Sequence, residues 1–381
     1  MLPGTEARWE ADAAAVIARH LTEGARGVYF HADGSGGVDG VEPRILPTLG
    51  PVGRLSPDPF AGAGFAPGST GAAGDMRRID EAGDMRRIDE VLAHLDSRPE
   101  PAPPVRPAGR PPEVAFVIPS PGNTEFLGRL FGGLADCDGV AEVVVVDNSA
   151  PTAEVDDFYG KWSDRLPLRV ERIDPAGDFN YSHANNVGAG ATASPVIAFC
   201  NDDIEVPADF INTGGLGRLT AWLSADGIGV VGPQLRYPDG SIQHGGVVIG
   251  LNGLAEHAFT GMRPNTETLI GCTDLPRDVS AVTGAFLVTS RELFDAVGGF
   301  DEELVLTGSD VWFCLRAAEL GWGTAYDGSV HLIHHESAAR GDTNHLEDFL
   351  GSVRRWSHIV EAGDPYWSAR LAIHRHEPTL R

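Results

Sequence analysis

The chain has 381 residues, 42% of them hydrophobic, and carries 29 Lys and Arg against 54 Asp and Glu, a formal net charge of −25. That apolar share fills a sizeable globular core. A surface this acidic repels phosphate backbones and anionic lipid, which excludes general nucleic-acid binding. The four cysteines Cys137, Cys200, Cys272 and Cys314 form no Cys-x-x-Cys pair and read as reduced thiols. No run of about 18 apolar residues occurs, so no membrane span is expected. Glu6, Arg8, Glu10 and Asp12 stand where a signal peptide would be apolar. The expectation is a cytoplasmic protein, with peripheral contact at the inner face of the membrane left open.

In chain order, residues 1–98 read as an N-terminal extension, partly irregular. A helix is predicted over Ala11–Leu21 and a short strand over Gly27–His31, and turn formers dominate from Asp33 to Gly74. Ala73–Glu81 (AGDMRRIDE) then recurs without change as Ala82–Glu90, too short for a solenoid unit and read as a duplication inside one helix. Residues 99–112 are proline-rich and read as a stiff linker.

Residues 113–345 predict a folded α/β domain. Val114–Ile118, Val143–Val146, Leu168–Ile173 and Val196–Cys200 read as buried strands, with helices over Asn123–Leu134 and Ser182–Thr192 between them. Such alternation implies a mostly parallel sheet flanked by helices, with ligands beyond the carboxyl ends of its strands. Two strands run into acidic clusters, Asp147 and Asn201-Asp202-Asp203, which therefore meet at one sheet edge. Tyr237-Pro238-Asp239-Gly240 is a tight turn between two strands, Ala285–Thr289 a buried strand, and Asp310–Leu320 a helix stopped by Gly321. Val330–Ile333 reads as a strand ending at His334-His335. Residues 346–381 form a helical tail. The helix predicted over Asn344–Val360 carries Leu346, Phe349, Leu350, Val353, Trp356 and Val360 on one face, for docking on the domain or, with Arg354 and Arg355, for contact with a membrane surface.

Several motifs in order resemble the inverting glycosyltransferases of family 2, which have the GT-A fold, and their rhamnosyltransferase-like members. They are Val117-Ile118-Pro119, Val145-Val146-Asp147-Asn148-Ser149, Phe179-Asn180-Tyr181-Ser182 with Asn185-Asn186, and Asn201-Asp202-Asp203 as a variant of the Asp-x-Asp motif. Gln243-His244-Gly245-Gly246, Thr283-Gly284-Ala285, Gly298-Gly299-Phe300-Asp301-Glu302, Ser309-Asp310, His334-His335-Glu336-Ser337 with Arg340, and Asp364-Pro365-Tyr366 complete the set. Ser309 departs from the family's Glu or Asn, and Ser120-Pro121-Gly122-Asn123 departs from its first-loop pattern.

The resemblance implies transfer of a sugar, with inversion, from a nucleotide-diphosphate donor (a dTDP- or UDP-sugar) to a hydroxyl of a glycan, a lipid-linked glycan or a small molecule. Asp310 is implied as the catalytic base. Pro119, Asp147, Asn180, Asn185, Asn201, Asp202 and Arg340 are implied on the nucleotide-sugar, and Asp203 with His334 on Mn²⁺ or Mg²⁺. His244, His257, Ser309 and Trp312 are assigned to sugar or acceptor. These roles suit the chemistry. A divalent cation, which favours carboxylate oxygens, neutralises a departing diphosphate, and inversion needs one carboxylate beside the acceptor hydroxyl. Because a strand alternates its faces, only one of His334 and His335 meets the metal.

Plainer readings stand beside these. Asp310 suits a helix N-terminus with Ser309 as cap, and Asn201–Asp203 suits a solvated loop. His331, His334 and His335 could hold zinc. A nucleotidyltransferase, or a lapsed glycosyltransferase-like scaffold subunit, are the rival functions.

Overall fold

The computed structural model describes residues 113–381 apart from 176–178, 226, 337–345 and 381. The predicted N-terminal helices, the tandem repeat, the proline-rich linker and Arg340 lie outside the described residues. Apart from 267–272, those described belong to one compact unit.

A run of parallel strands forms the heart of the sheet: β1 (Val114–Ser120), β2 (Val140–Asp147), β3 (Leu168–Arg172) and β4 (Val196–Cys200). Every residue of β1 and β4 is buried. Strands covered on both faces by helices must be apolar throughout, which is why these segments read as unbroken hydrophobic runs. The covering helices are α1 (Thr124–Ala135), α2 (Ala153–Ser163) and α3 (Tyr181–Gly190). Leu127, Leu130, Phe131 and Leu134 form the buried stripe of α1, whose start is capped by Asn123 accepting from Phe126 N–H at 3.3 Å. α3 lies so close to the sheet that a Cβ at Gly188 would stand 2.4 Å from Val117. Gly190, the other glycine of this stretch, has open space around it.

Beyond β4 come β5 (Ile204–Glu205), α4 (Ala208–Asn212), α5 (Gly215–Trp222), β6 (Ile228–Arg236), β7 (Ile242–His244), β8 (Val247–Ile249), β9 (Ala255–His257) and β10 (Arg277–Val279). β11 (Phe286–Ser290), α6 (Arg291–Val297), α7 (Ser309–Glu319), β12 (Gly323–His334) and α8 (Leu346–Ala362) complete the order. The large sheet runs β10-β12-β6-β11-β4-β1-β2-β3, with β5 on β12 and β7 on β6. β11 is antiparallel to both β4 and β6, while β6 and β12 pair in parallel. The result is a mixed α/β fold with a mostly parallel central sheet flanked by helices. Among the described residues no helix is long and apolar enough to cross a membrane.

The structure corrects four local expectations. β1 continues through Pro119 to Ser120, with Pro119 buried and in register with Val146. The predicted strand at 330–333 is the end of the twelve-residue β12, which includes His334. Ser309 is not the cap of α7. It lies inside the helix, and the cap is Gly308, whose φ of +86° is a left-handed conformation that glycine adopts without strain. The tail helix exposes part of its presumed core face. Leu346, Phe349 and Leu350 are 68%, 49% and 46% exposed, whereas Asp348 and Trp356 are buried. The rest of the tail packs back onto the domain: Asp364 accepts from Ile249 N–H at 2.6 Å, and Asn252 N–H donates to Ile373 O at 2.7 Å.

Candidate active site

Beyond the carboxyl end of β4, the chain turns through Asn201-Asp202-Asp203 beneath the end of β12. Asp203 and His334, both buried, stand together, with Asp203 Oδ1 3.1 Å from His334 Nε2. The surrounding amides fix the imidazole tautomer. Gln243 Nε2 donates to Glu336 at 3.1 Å, which leaves Gln243 Oε1 facing His334 Nδ1 at 2.6 Å. Nδ1 therefore carries the proton. Nε2 faces the Asn201 amide at 3.3 Å and the Asp203 carboxylate at 3.1 Å. A ring nitrogen this close to a carboxylate oxygen is favourable when a proton or a cation lies between them. Among the described residues no group of three or more His, Cys, Asp or Glu side chains is arranged to hold a metal ion. One carboxylate and one imidazole fit a Mg²⁺- or Mn²⁺-type ion that takes its other ligands from water and substrate phosphate.

His335 points the other way. Its Nε2 meets Glu205 at 2.8 Å, and its backbone N–H donates to Asp203 O. His331 pairs with Asp209 at 3.4 Å, so the three histidines have three different carboxylate partners, and no group of three ligands is arranged among the described residues as a zinc site would require.

A cleft of about 920 Å³ opens from this pair. Its lining comes from the turn after β4 and the strands beside it (Asn201, Asp203, Gln243 and His334), from Gly284 and the start of α7 (Ser309 and Asp310), and from α8 and the turn before β9 (Phe349, Val353, Trp356, Val360 and Leu254). His257 also lines it. Asp310 sits in the first turn of α7. Its Oδ2 accepts Gly284 N–H at 2.7 Å, and its Oδ1 accepts Val311 N–H at 2.8 Å. Gly284 permits this approach, since a Cβ there would lie 2.8 Å from Tyr181 Oη and 3.2 Å from Asp310 Cβ. The carboxylate is thus aimed from two sides while still facing the cleft.

Asp147 and Asp202 form a neighbouring cluster outside the lining of this cleft. β1 and β2 set Ser120 level with Asp147, and Ser120 Oγ donates to Asp202 Oδ2 at 2.6 Å. Asp147 is fully buried. It accepts Ser149 N–H at 2.7 Å and pairs with Arg172 at 3.4 Å. Burial, and after it the Asp147 carboxylate, pushes the phenol of neighbouring Tyr159 well above its ordinary range. Reasoning on the sequence missed Ser120, Tyr159 and Arg172. For Arg172 a signal existed, because it ends a strand at the edge where ligands bind.

Other predicted site residues serve the fold. Asn180 caps α3 by accepting from His183 N–H at 2.8 Å, and its amide donates to Glu302 O. Asn185 is fully buried, with its amide on Tyr181 O. Trp312 packs against the core, with the Arg316 guanidinium 5.8 Å from its ring centre. His244 is fully buried edge-on against His257, ring centres 4.7 Å apart. Neither His244 ring nitrogen has a hydrogen-bond partner among the described residues. None of these four residues lines the cleft.

No family model matches the chain. An uncharacterised protein, y4gI, of Sinorhizobium fredii is 36% identical over 282 residues, 71% of this chain and 30% of that protein. The O-antigen biosynthesis protein RfbC of Myxococcus xanthus is 30% identical over 69% of this chain and 20% of its own length. An N-acetylglucosaminyl-diphospho-decaprenol L-rhamnosyltransferase of Mycobacterium tuberculosis is 30% identical over 41% of this chain and 55% of its own. The chain thus spans about a third or less of the first two relatives. Among solved structures, GalNAc-T7 with UDP, GalNAc and Mn²⁺ shares the fold, with a TM-score of 0.52 at 18% identity, over 65% of this chain and 49% of that one. Fold and named relatives agree with the resemblance carried by the motifs: the chain has the GT-A fold and is similar in sequence to a named rhamnosyltransferase.

Proposed function

We propose that the protein is a metal-assisted, inverting glycosyltransferase that moves a sugar from a nucleoside-diphosphate donor to an acceptor hydroxyl. The observation that carries this reading is one cleft lined both by Asp203 with His334 and by an aimed carboxylate, Asp310.

Asp203 and His334 would hold a divalent cation, which supplies charge neutralisation for the departing diphosphate. Asn201, whose amide lies 3.3 Å from His334, would contact the sugar or ribose. The Asp147–Ser120–Asp202 cluster, with Arg172 and Tyr159, would take the nucleoside, for which a dTDP- or UDP-sugar is the proposed donor. Asp310 receives the proton of the acceptor hydroxyl. The freed oxygen bonds to the anomeric carbon from the face opposite the diphosphate, whose bond to that carbon breaks with the electron pair. Configuration inverts. The backbone N–H groups of Gly284 and Val311 hold Asp310 in place for that transfer. Arg340 is proposed on the diphosphate, and His257 and Ser309, both on the cleft wall, on sugar or acceptor. The acceptor is a glycan, a lipid-linked glycan or a small molecule.

A panel of nucleotide sugars with Mn²⁺, read by thermal shift, tests the donor assignment, because a ligand that binds only the folded chain raises its Tm. One donor should raise the Tm of the wild type and fail to do so after Asp203→Ala. Equal shifts in both would remove Asp203 from the site.

A further inference from the structure

The C-terminal helix α8 is built into the cleft by polar ties as well as by packing. Asp348, in its first turn, is completely buried. Its carboxylate collects three successive backbone N–H groups of another segment: Val305 at 2.7 Å, Leu306 at 2.8 Å and Thr307 at 3.0 Å. A charged acceptor shared by three donors fixes both the place and the orientation of a loop, which apolar packing does not.

That loop leads directly into Asp310. Leu306, Thr307 and Gly308 line the cleft, and α7 begins at Ser309. The connection has little slack. At Gly308 a Cβ would stand 2.6 Å from Ser352 Oγ and 2.9 Å from the Trp356 ring, both on α8. A second tie lies upstream, where Arg355 binds Asp301 at 2.6 Å and Glu303 at 2.8 Å. One helix therefore grips the 301–308 segment at its start, along its length and at its end. Asp203 and His334, by contrast, stand on the β4 and β12 side of the cleft.

We propose that Asp348 is a positioning residue. By holding 305–308 it sets Asp310 and the wall that receives the acceptor, and it leaves the donor end untouched. This rests on the glycosyl-transfer reading above.

The test compares the full-length wild type with Asp348→Asn, which keeps the side chain's shape but turns one carboxylate oxygen into an N–H donor facing N–H donors. Transfer kcat should fall about 100-fold, as for a misplacement on the order of 1 Å, and acceptor KM should rise, while Mn²⁺-dependent nucleotide binding stays within about twofold. Asp348→Glu should recover part of the loss. Arg355→Gln should act in the same direction, more weakly, and serves where Asp348→Asn folds poorly. Hydrogen exchange gives a readout independent of transfer: the amides of 305–307 should exchange faster in Asp348→Asn, with those of β4 unchanged. Unchanged kcat and exchange in a folded variant would overturn the proposal, as would equal losses of transfer and nucleotide binding. A wild type that transfers no sugar would remove the glycosyltransferase reading, and the exchange experiment would still decide the clamp.

Discussion

The sheet-borne and the loop-borne parts of the site are held by different physics. Asp147 ends β2 and Asp203 follows β4 by three residues, and both strands are locked with β1 in parallel ladders, so these two carboxylates are placed by the sheet. The surroundings of Asp310 are assembled from a loop, a helix start and the tail helix, joined by a few polar side-chain contacts: Gly284 to Asp310, Asp348 to 305–307, and Arg355 to Asp301 and Glu303. A ladder tolerates the loss of one contact. A wall built from individual hydrogen bonds does not.

The largest effect expected from that contrast falls on Asp310. Asp310→Asn should lower transfer by about 10²–10⁴-fold, the range general base catalysis supplies. Nucleotide binding at the sheet-held end should persist. Paired steady-state kinetics and nucleotide titration check this; full activity in the variant would take Asp310 out of the reaction.

A smaller effect concerns pH. Burial, then the neighbouring His257 and His334, pushes the His244 imidazole well below its ordinary value, so it is neutral in the folded chain. In the unfolded chain it binds a proton below about pH 6.5. More protons on the unfolded state mean that stability is intact above that pH and is lost as pH falls through it, by at most about 1.4 kcal/mol per unit from this one residue. His257, also pushed down chiefly by burial, contributes in the same sense. Thermal denaturation from pH 7.5 to 5.5 should show a falling Tm, with a shallower slope in His244→Phe. Identical slopes would place the acid sensitivity elsewhere.

The same division explains what could be read in the amino-acid string. β4 and α1 were legible because their burial follows local periodicity: five apolar residues in a row, and Leu127, Leu130, Phe131 and Leu134 at helical spacing. Helix α2 was not, since only Tyr159 of its residues is buried and no apolar stripe marks it. β6 contains Pro233 and β12 contains Gly328 and Asp327, residues that argue against strands when read alone. Asp203 and Asp310 were singled out by the motif resemblance, and their shared cleft could not be seen without the fold. Asp348 was invisible for a further reason. On a helix that reads as amphipathic a carboxylate belongs to the wet face, and its partners lie some forty residues away in a loop with no pattern of its own.

Where a metal and a donor settle decides the proposed chemistry. Diffraction from crystals grown with Mn²⁺ and the donor selected by thermal shift, collected at the manganese edge, measures this directly. The expected result is an anomalous peak between Asp203 and His334, with the anomeric carbon of the donor facing Asp310. A peak bound elsewhere, or a sugar turned away from Asp310, would contradict it.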